Sequence, residues 1–375
     1  MSGQKHLYSV SDYFTSGNKQ QGKVMDHVRF AGHENIDSVK DHKQAIALLS
    51  VSDPVLSDLS DTFAMQVRRR FYSLSSPFPA KATLIDLGYY IMPQDSDETF
   101  SEIIDRLISL KINVVILSSV KDINTLLYYT IKKQGKQVLI TGVSPYLPLS
   151  EESGDADGFR KIITDKDNRL FNYTNLGMQS FLNTTRNQDR YRKMLLDSVR
   201  MGMLVKDLSP AEPVIRDSQI FSFDLNAVKV SDAPAAELAN PVGFSAYDAC
   251  RLCRFAGVSE KNRIFCLDHL PVCDDPHNTS SFLTAQMLWY YCEGHFHRNP
   301  ENPASQKKNF RIYLTETQEY GTLTFYQSQL SDRWWVQMDI PGYRKVMLSC
   351  LKEDYMETMN GEIPEKLIRF YQKFI

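Results

Sequence analysis

Phe221-Ser222-Phe223-Asp224-Leu225-Asn226 is an apolar run that ends in a carboxylate, with an amide two places on. A loop follows at Ser231-Asp232-Ala233-Pro234. Side chains two apart on a strand share a face, so Asp224 and Asn226 are expected to point the same way at a strand end. In a parallel α/β sheet that end is where ligands bind. Other groupings suggest metals less strongly. Cys250-x-x-Cys253, with Cys266 and Cys273, has no second Cys-x-x-Cys or close histidine pair. Its first two thiols fall on an apolar helix face, so packed cysteines are expected. Cys292-x-x-His295-x-His297 offers three potential ligands, read as surface residues of a polar segment. The acidic stretch Ser150-Glu151-Glu152-Ser153-Gly154-Asp155-Ala156-Asp157-Gly158 lacks the spacing and closing glutamate of a calcium loop. It reads as a surface loop. No Gly-x-Gly-x-x-Gly or phosphate loop occurs, and no serine or cysteine nucleophile sits in an elbow context.

These residues need a frame. Residues 1–40 are polar and read as a loosely packed arm, with His27, His33 and His42 at no ligand spacing. Ala45–Val51 is a short apolar run suited to a buried parallel strand. Ser57–Tyr72 reads as a helix carrying an exposed basic run, Arg68-Arg69-Arg70. Ala82–Gly88 reads as a strand ending in a turn glycine. Asp95 or Ser96 can cap the next helix, whose apolar stripe is Phe100, Ile103, Ile104, Leu107 and Ile108. Strands are then expected at Ile112–Leu117, Gln137–Thr141, Arg169–Tyr173, Ser218–Asp224 and Arg263–Leu267. Helices are expected at Asn124–Lys133 and Asp189–Met203, and after the Ser245/Asp248 capping box. This alternation predicts a three-layer α/β/α domain with a mostly parallel, doubly wound sheet, over residues 41–298. Residues 299–375 form a C-terminal extension. Its strands are Phe310–Leu314, Gly321–Phe325 and Arg333–Met338, and Pro364 opens its final helix. Arg333-Trp334-Trp335 combines residue types favoured at interfaces, and tryptophans also serve as packing in such a sheet.

The chain has 375 residues, 42% hydrophobic and 23% charged, which suits one large or two medium globular domains. A net charge of −2 gives no reason to expect nucleic acid or an anionic membrane as partner. No segment approaches the ~20 apolar residues of a membrane span, and the N-terminus has no apolar signal-peptide core. A cytoplasmic location is the expectation. The cysteines, six in a chain this long, are not a disulfide framework.

The Ser222-Phe223-Asp224-Leu225-Asn226 stretch resembles the Ser-Phe-Asp-x-Asp signature of the ureohydrolase family (arginase, agmatinase, formimidoylglutamase). Asn172–Asn183 is similar to the Asn-Tyr-x-Asn-x-Gly-x-Gln-x-Phe segment of the formimidoylglutamase-like branch. Glu212-Pro213-Val214-Ile215-Arg216-Asp217 resembles the branch's approach to the signature strand, and Ser231–Pro234, Gly243-Phe244 and Ala249-Cys250 resemble the stretch beyond it. The resemblance runs over roughly residues 40–275. It implies an arginase-like fold, a two-manganese cofactor and trimers or hexamers.

The same comparison shows what this chain lacks. Where the family has Gly-Gly-Asp-His, the chain reads Ser118-Ser119-Val120-Lys121. Where it has Asp-Ala-His-x-Asp, the chain reads Ser144-Pro145-Tyr146-Leu147-Pro148. The third segment keeps Asp224 but has Asn226 for the second acid, and the substrate-binding acid falls at Asp268-His269-Leu270-Pro271. Two manganese ions bring about four formal positive charges and need hard oxygen and imidazole ligands. Their role is to generate hydroxide near neutral pH, and one carboxylate with one amide cannot assemble them. The resemblance therefore implies a pseudoenzyme without the manganese cofactor. Its degenerate or ligand-binding site comprises Lys121, Ser144, Tyr146, Asp224, Asn226 and Asp268. Lys121 is expected either to pair with Asp224 in place of the metal, or to face solvent while Asp224 bonds backbone amides. Tyr146 can plug the crevice. Such a protein would bind a protein partner of unknown identity or a small polar ligand, as an assembly component or a sensor, and could be a homo-oligomer. The alternative is a hydrolase of C–N bonds in guanidino or formimino compounds with an altered site.

Overall fold

A computed structural model describes residues 7–14, 21–31, 44–52, 59–93, 98–272, 275, 277–340 and 345–374. His33, His42, Cys273 and the helix-capping residues Asp95 and Ser96 lie outside them. In chain order the larger unit contains β1 (Leu7–Tyr8), β2 (Val28–Phe30), β3 (Ile46–Ser52), α1 (Phe63–Ser73), β4 (Leu84–Ile91), α2 (Glu98–Ser109), β5 (Asn113–Ser118), α3 (Ile123–Lys132) and β6 (Val138–Val143). It continues through α4 (Ala156–Thr164), β7 (Leu170–Met178), α5 (Thr185–Lys193), β8 (Asp197–Arg200), α6 (Met201–Lys206), α7 (Ala211–Asp217), β9 (Ile220–Asp224), α8 (Ala246–Val258), β10 (Ile264–Asp268) and α9 (Thr279–His297).

The strands β3, β5, β9 and β10 are buried along their whole length. Apolar runs covered on both faces belong to parallel sheets. The order is β1-β4-β3-β5-β10-β9-β6-β7-β8, with β2 also on β4. Of these pairings only β1–β4 is antiparallel. Helices cover both faces. On one, Phe221, Phe223 and Phe265 join Leu252 and Cys253 of α8 and Tyr291 of α9. On the other, Ile116, Ile140 and Ile220 join Ile104 of α2 and Leu127 of α3. This is the expected three-layer arrangement. The carboxyl ends of β5, β6, β9 and β10 lie side by side at the sheet centre, because β10 and β9 fill the gap between β5 and β6.

Several expectations change. Arg68 is not an exposed member of a basic run but is fully buried, while Arg69 and Arg70 stay exposed. A helix repeats every 3.6 residues, so Arg68 turns inward with Phe71 and Tyr72. Gly88 does not end its strand. Its φ of +79° sits where the β3–β4 register shifts, and an added Cβ would lie 2.0 Å from the Tyr8 carbonyl oxygen. Only glycine lets β1 approach so closely. The first 31 residues are accordingly not all loose, since β1 and β2 pair with β4 and Val10 and Val24 are buried. The stretch read as a helix over Asp189–Met203 breaks instead. α5 stops at Lys193, Leu195 takes a φ of +56°, and Asp197–Arg200 joins the sheet edge beside β7. Sheet pairing overrides the helix-favouring composition there.

The C-terminal unit holds β11 (Phe310–Thr317), β12 (Gly321–Ser328), β13 (Trp334–Met338), β14 (Val346–Cys350), α10 (Lys352–Met359) and α11 (Glu365–Gln372). Its strands form an antiparallel sheet in chain order. The β14 strand was missing from the sequence reading. Trp334 and Trp335 are buried, so they pack rather than present a recognition patch. The Arg216 guanidinium of α7 lies 4.2 Å from the Trp335 ring centre and donates to the Trp334 carbonyl at 3.0 Å. Asp217 accepts from the Ser349 amide and hydroxyl, each at 2.8 Å. No helix among the described residues is long and apolar enough to cross a membrane.

Candidate functional site

Asp224 ends β9, and the strand does not continue to Asn226. Leu225–Ala227 is a single 3-10 turn capped by Asp224, whose Oδ1 accepts the Asn226 amide at 2.8 Å. The expected shared face is therefore lost. The Asn226 side chain is used elsewhere, its Oδ1 accepting the Leu238 amide at 2.8 Å. Asp224 Oδ2 accepts from Ser144 Oγ at 2.9 Å, just beyond β6. Tyr146, two residues on, is half-buried, and its backbone carbonyl accepts from Asn175 at 2.8 Å. Burial, then Glu152, Asp224 and Glu237, raise its phenol above the ordinary value.

Lys121 forms no ion pair with Asp224 among the described residues, and it is exposed. The expectation of a Lys121–Asp224 pair is corrected, and the alternative of Asp224 bonding a backbone amide holds. The cation beside Asp224 is one the sequence reading missed. His269 follows β10 directly, its φ at +50°. Its Nδ1 stands 3.6 Å from Asp224 Oδ1 and 3.5 Å from Asp268 Oδ2. Asp268 is buried, accepting from Asn124 Nδ2 at 3.0 Å and from the His269 amide at 2.7 Å. A third acid, Asp155, comes from the stretch read as a surface loop. Ser150 and Ser153 are buried there, Asp155 is half-buried, and its Oδ1 accepts the Asp122 amide at 3.1 Å.

The charges of this cluster shape one another. Burial opposes a charged imidazole, but Asp224, Asp268 and Asp155 outweigh it and lift His269 to about 10. Burial and then the neighbouring Asp268 carboxylate raise Asp155 to about 7. Burial raises Asp268 to about 6, against the pull of His269. At neutral pH the site is thus an imidazolium facing three acids, of which Asp155 and Asp268 are pushed up toward neutrality. Both ring nitrogens of His269 are enclosed and make no hydrogen bond of strict geometry, though the Ser153 backbone lies close enough to favour the charged ring. A Cβ on Gly154, at φ +77°, would come within 3.3 Å of Nε2, so this glycine leaves room for the ring.

This donor set does not fit a pair of manganese ions. The first-segment histidine is the exposed Lys121, and the third-segment acid is Asn226, whose oxygen is already bonded. His269, charged by its neighbours, cannot offer a lone pair to a metal while it remains an imidazolium. Among the described residues no group of three or more His, Cys, Asp or Glu is arranged to hold a metal ion. That includes Cys292, His295 and His297. They lie on α9 rather than in a polar surface segment, with Cys292 and His295 buried. His295 bonds the Gln44 carbonyl at 3.2 Å and is held down to about 3, first by burial. Cys250 and Cys253 are buried free thiols, packed as expected.

Solved structures share the architecture. The chain superposes on formimidoylglutamase from Bacillus subtilis subsp. subtilis str. 168 with a TM-score of 0.58 at 14% identity, covering 76% of this chain and 96% of that one. Trypanosoma cruzi formiminoglutamase with Mn2+ gives 0.55 at 15%, covering 68% and 94%. Agmatine ureohydrolase of Thermoplasma volcanium gives 0.52 at 16%, covering 74% and 95%. No family model matches the chain, and no curated protein sequence does. At these identities the likeness speaks for architecture: this chain has the ureohydrolase fold.

Proposed function

We propose that the chain is a non-catalytic protein on the ureohydrolase fold that acts by binding, as an assembly component or as holder of a small polar ligand. One observation carries this reading. The His269 ring lies 3.6 and 3.5 Å from Asp224 and Asp268, so a charge supplied by the chain stands among the acids. An imidazolium neutralises carboxylates but does not activate water as a metal would. The three segments that resemble metal-binding ones carry Lys121, Ser144, Tyr146 and Asn226, which supports the same reading. A homo-oligomer fits the resemblance.

A second reading is favoured by Asp155 and Asp268, which titrate near neutrality side by side. Buried acids tuned toward neutrality can serve as general acid and base. On that reading the chain hydrolyses a C–N bond in a guanidino or formimino compound with an altered site.

Elemental analysis of the purified protein, together with assays for urea and formamide released from guanidino and formimino acids, separates the two. The binding reading expects less than a tenth of an equivalent of manganese and no release above the His269→Gln variant. Stoichiometric manganese with turnover would overturn it. Turnover without metal, abolished in Asp155→Asn, would establish the second reading.

A further inference from the structure

The docking of the C-terminal unit leaves a cavity of about 420 Å³ against the sheet edge. Ile140, Phe171 and Val199 line it from the sheet, Val214 from α7, and Leu348 and Phe370 from the C-terminal unit. Its size lies in the ~300–1,000 Å³ range of small-molecule sites, which are mostly apolar with a few convergent polar groups. A second cavity of about 260 Å³ shares Ser198, Met203 and Arg369 with the first, so the two meet at β8. The second is polar and carries Arg192, Arg200 and Arg369 with no carboxylate in its lining, though Arg192 pairs with Asp189 at 3.2 Å just outside it.

The charges around the pair of cavities are unequally used. Each acid lining the larger one is engaged. Asp197 accepts from Asn172 and pairs with Arg369, and Glu365 also pairs with Arg369. Asp217 pairs with Lys261, and Asp354 accepts the Leu351 amide. The cations are not all answered. Lys373 donates to the neutral Asn172 amide oxygen at 2.6 Å and lies 5.5 Å from the Phe171 ring centre, and Lys366 bonds the Ser349 carbonyl at 2.7 Å. Among the described residues neither lysine has a carboxylate within 4 Å, and Arg200 makes no ion pair. Burial, against the pull of Asp197, holds the Lys373 ammonium down to about 8. Arg200 is exposed and bears little such cost, but Lys373 is half-buried; a charge left partly desolvated without a counter-ion is costly, and an anionic ligand relieves that cost.

We propose that this double cavity binds an amphipathic organic anion, its apolar body against Phe171, Val199 and Phe370 and its carboxylate or phosphate head toward Lys373, with Arg200 as a further partner. The site is separate from the His269 crevice, and its occupation depends on neither reading of that crevice. It would place ligand control at the seam between the two units, since β8 and α11 both line it.

The test is thermal unfolding of the full chain with octanoate, octyl phosphate, octanol and octylamine. The anions are expected to raise the midpoint with the logarithm of their concentration, by about 3 °C at a hundredfold excess over Kd, and the alcohol and amine are not. A larger shift from octanoate identifies a carboxylate site, and a larger shift from octyl phosphate a phosphate site. The double variant Arg200→Ala/Lys373→Met should weaken the bound anion at least tenfold by calorimetry. Met203→Trp, at an exposed position where the cavities meet, should abolish the shift while leaving the unliganded midpoint unchanged. It supplies the readout if the double variant fails to fold. Equal stabilisation by octanol, no response to either anion, or an unaltered response in Met203→Trp would overturn the proposal.

Discussion

Two buried charge clusters, both in the α/β layer, are built in opposite ways. In the first, Arg68 and Asp86 meet through parallel bonds, Nε to Oδ2 at 2.9 Å and Nη2 to Oδ1 at 3.0 Å. The remaining valences are filled by Ser50, the Gly88 carbonyl at 2.9 Å, the Gly88 amide at 2.9 Å and the Tyr72 hydroxyl. One cation answers one anion in bidentate geometry. In the second, His269 faces Asp155, Asp224 and Asp268 with neither ring nitrogen in a well-formed hydrogen bond. The first cluster is closed and ties α1 to β4. The second is open, carries more acid than base, and holds protons that move near neutral pH. A buried pair with every lone pair answered reads as a structural tie; a buried cluster with unanswered donors at a strand-end crevice reads as a site that a ligand can reorganise.

The largest expected effect breaks the closed cluster. Arg68→Met leaves the Asp86 carboxylate buried without its cation. Removing one partner of such a pair costs ~3–5 kcal/mol. Urea unfolding should show the midpoint falling with an unchanged slope. A loss of about 1–2 kcal/mol, within the range expected for the open cluster, would place this cluster with it.

The open cluster should give way more gently. His269→Gln removes its cation, but Asp155 and Asp268 titrate at about 7 and 6 and can take up protons in compensation. A loss of about 1–3 kcal/mol at neutral pH is expected, smaller than for Arg68→Met. The pH profile sharpens the distinction. His269 binds its proton more tightly folded than unfolded, so its contribution is complete below about 6.5 and is lost as pH rises toward about 10. Wild-type stability should therefore decline between those limits, and His269→Gln should lack that decline. For Asp155 and Asp268 the folded state also favours the protonated form, so stability falls as pH rises from about 4 to about 7. Asp155→Asn should flatten that lower limb. Chemical denaturation at unit pH intervals reads both limbs.

The two clusters were unequally legible in the sequence. The strand ending at Asp224, the Ser245 cap and the apolar stripe of α2 follow from local pattern, and the structure has each of them. Arg68 was concealed by Arg69 and Arg70, because charge runs are read as exposed and only helix phase distinguishes the inward member. His269 lies within Asp268-His269-Leu270-Pro271, where its neighbouring acid is the residue that resembles the family's substrate-binding one. Its role depends on a left-handed turn and on Asp155, which is 114 positions earlier by subtraction of their numbers. Asp155 sat in a stretch whose acidity and glycines suggested solvent. The signal available was its position before a helix, where acids often cap, but nothing local indicates which acid faces inward. β8 was hidden by residues that favour helices, and only its pairing with β7 sets it as a strand.

The smallest expected effect concerns Lys121, the residue the sequence made the natural counter-charge. If His269 is the cation of the open cluster, Lys121 is replaceable. It is exposed, and its Cγ and Cδ atoms lie 4.0 Å from the Cβ position of Gly154, so its stem runs beside the histidine's loop. Lys121→Ala should change unfolding free energy by no more than about 0.5 kcal/mol, the ordinary range for surface substitutions. It should also leave the decline of stability above about 6.5 intact, because that decline belongs to His269. A double-mutant cycle with Asp224→Asn makes the test strict. Residues that do not touch add within ~0.3–0.5 kcal/mol, so coupling above that range would restore Lys121 as the partner of Asp224. The same cycle with His269→Gln should show the coupling that Lys121 lacks, since His269 stands 3.6 Å from Asp224.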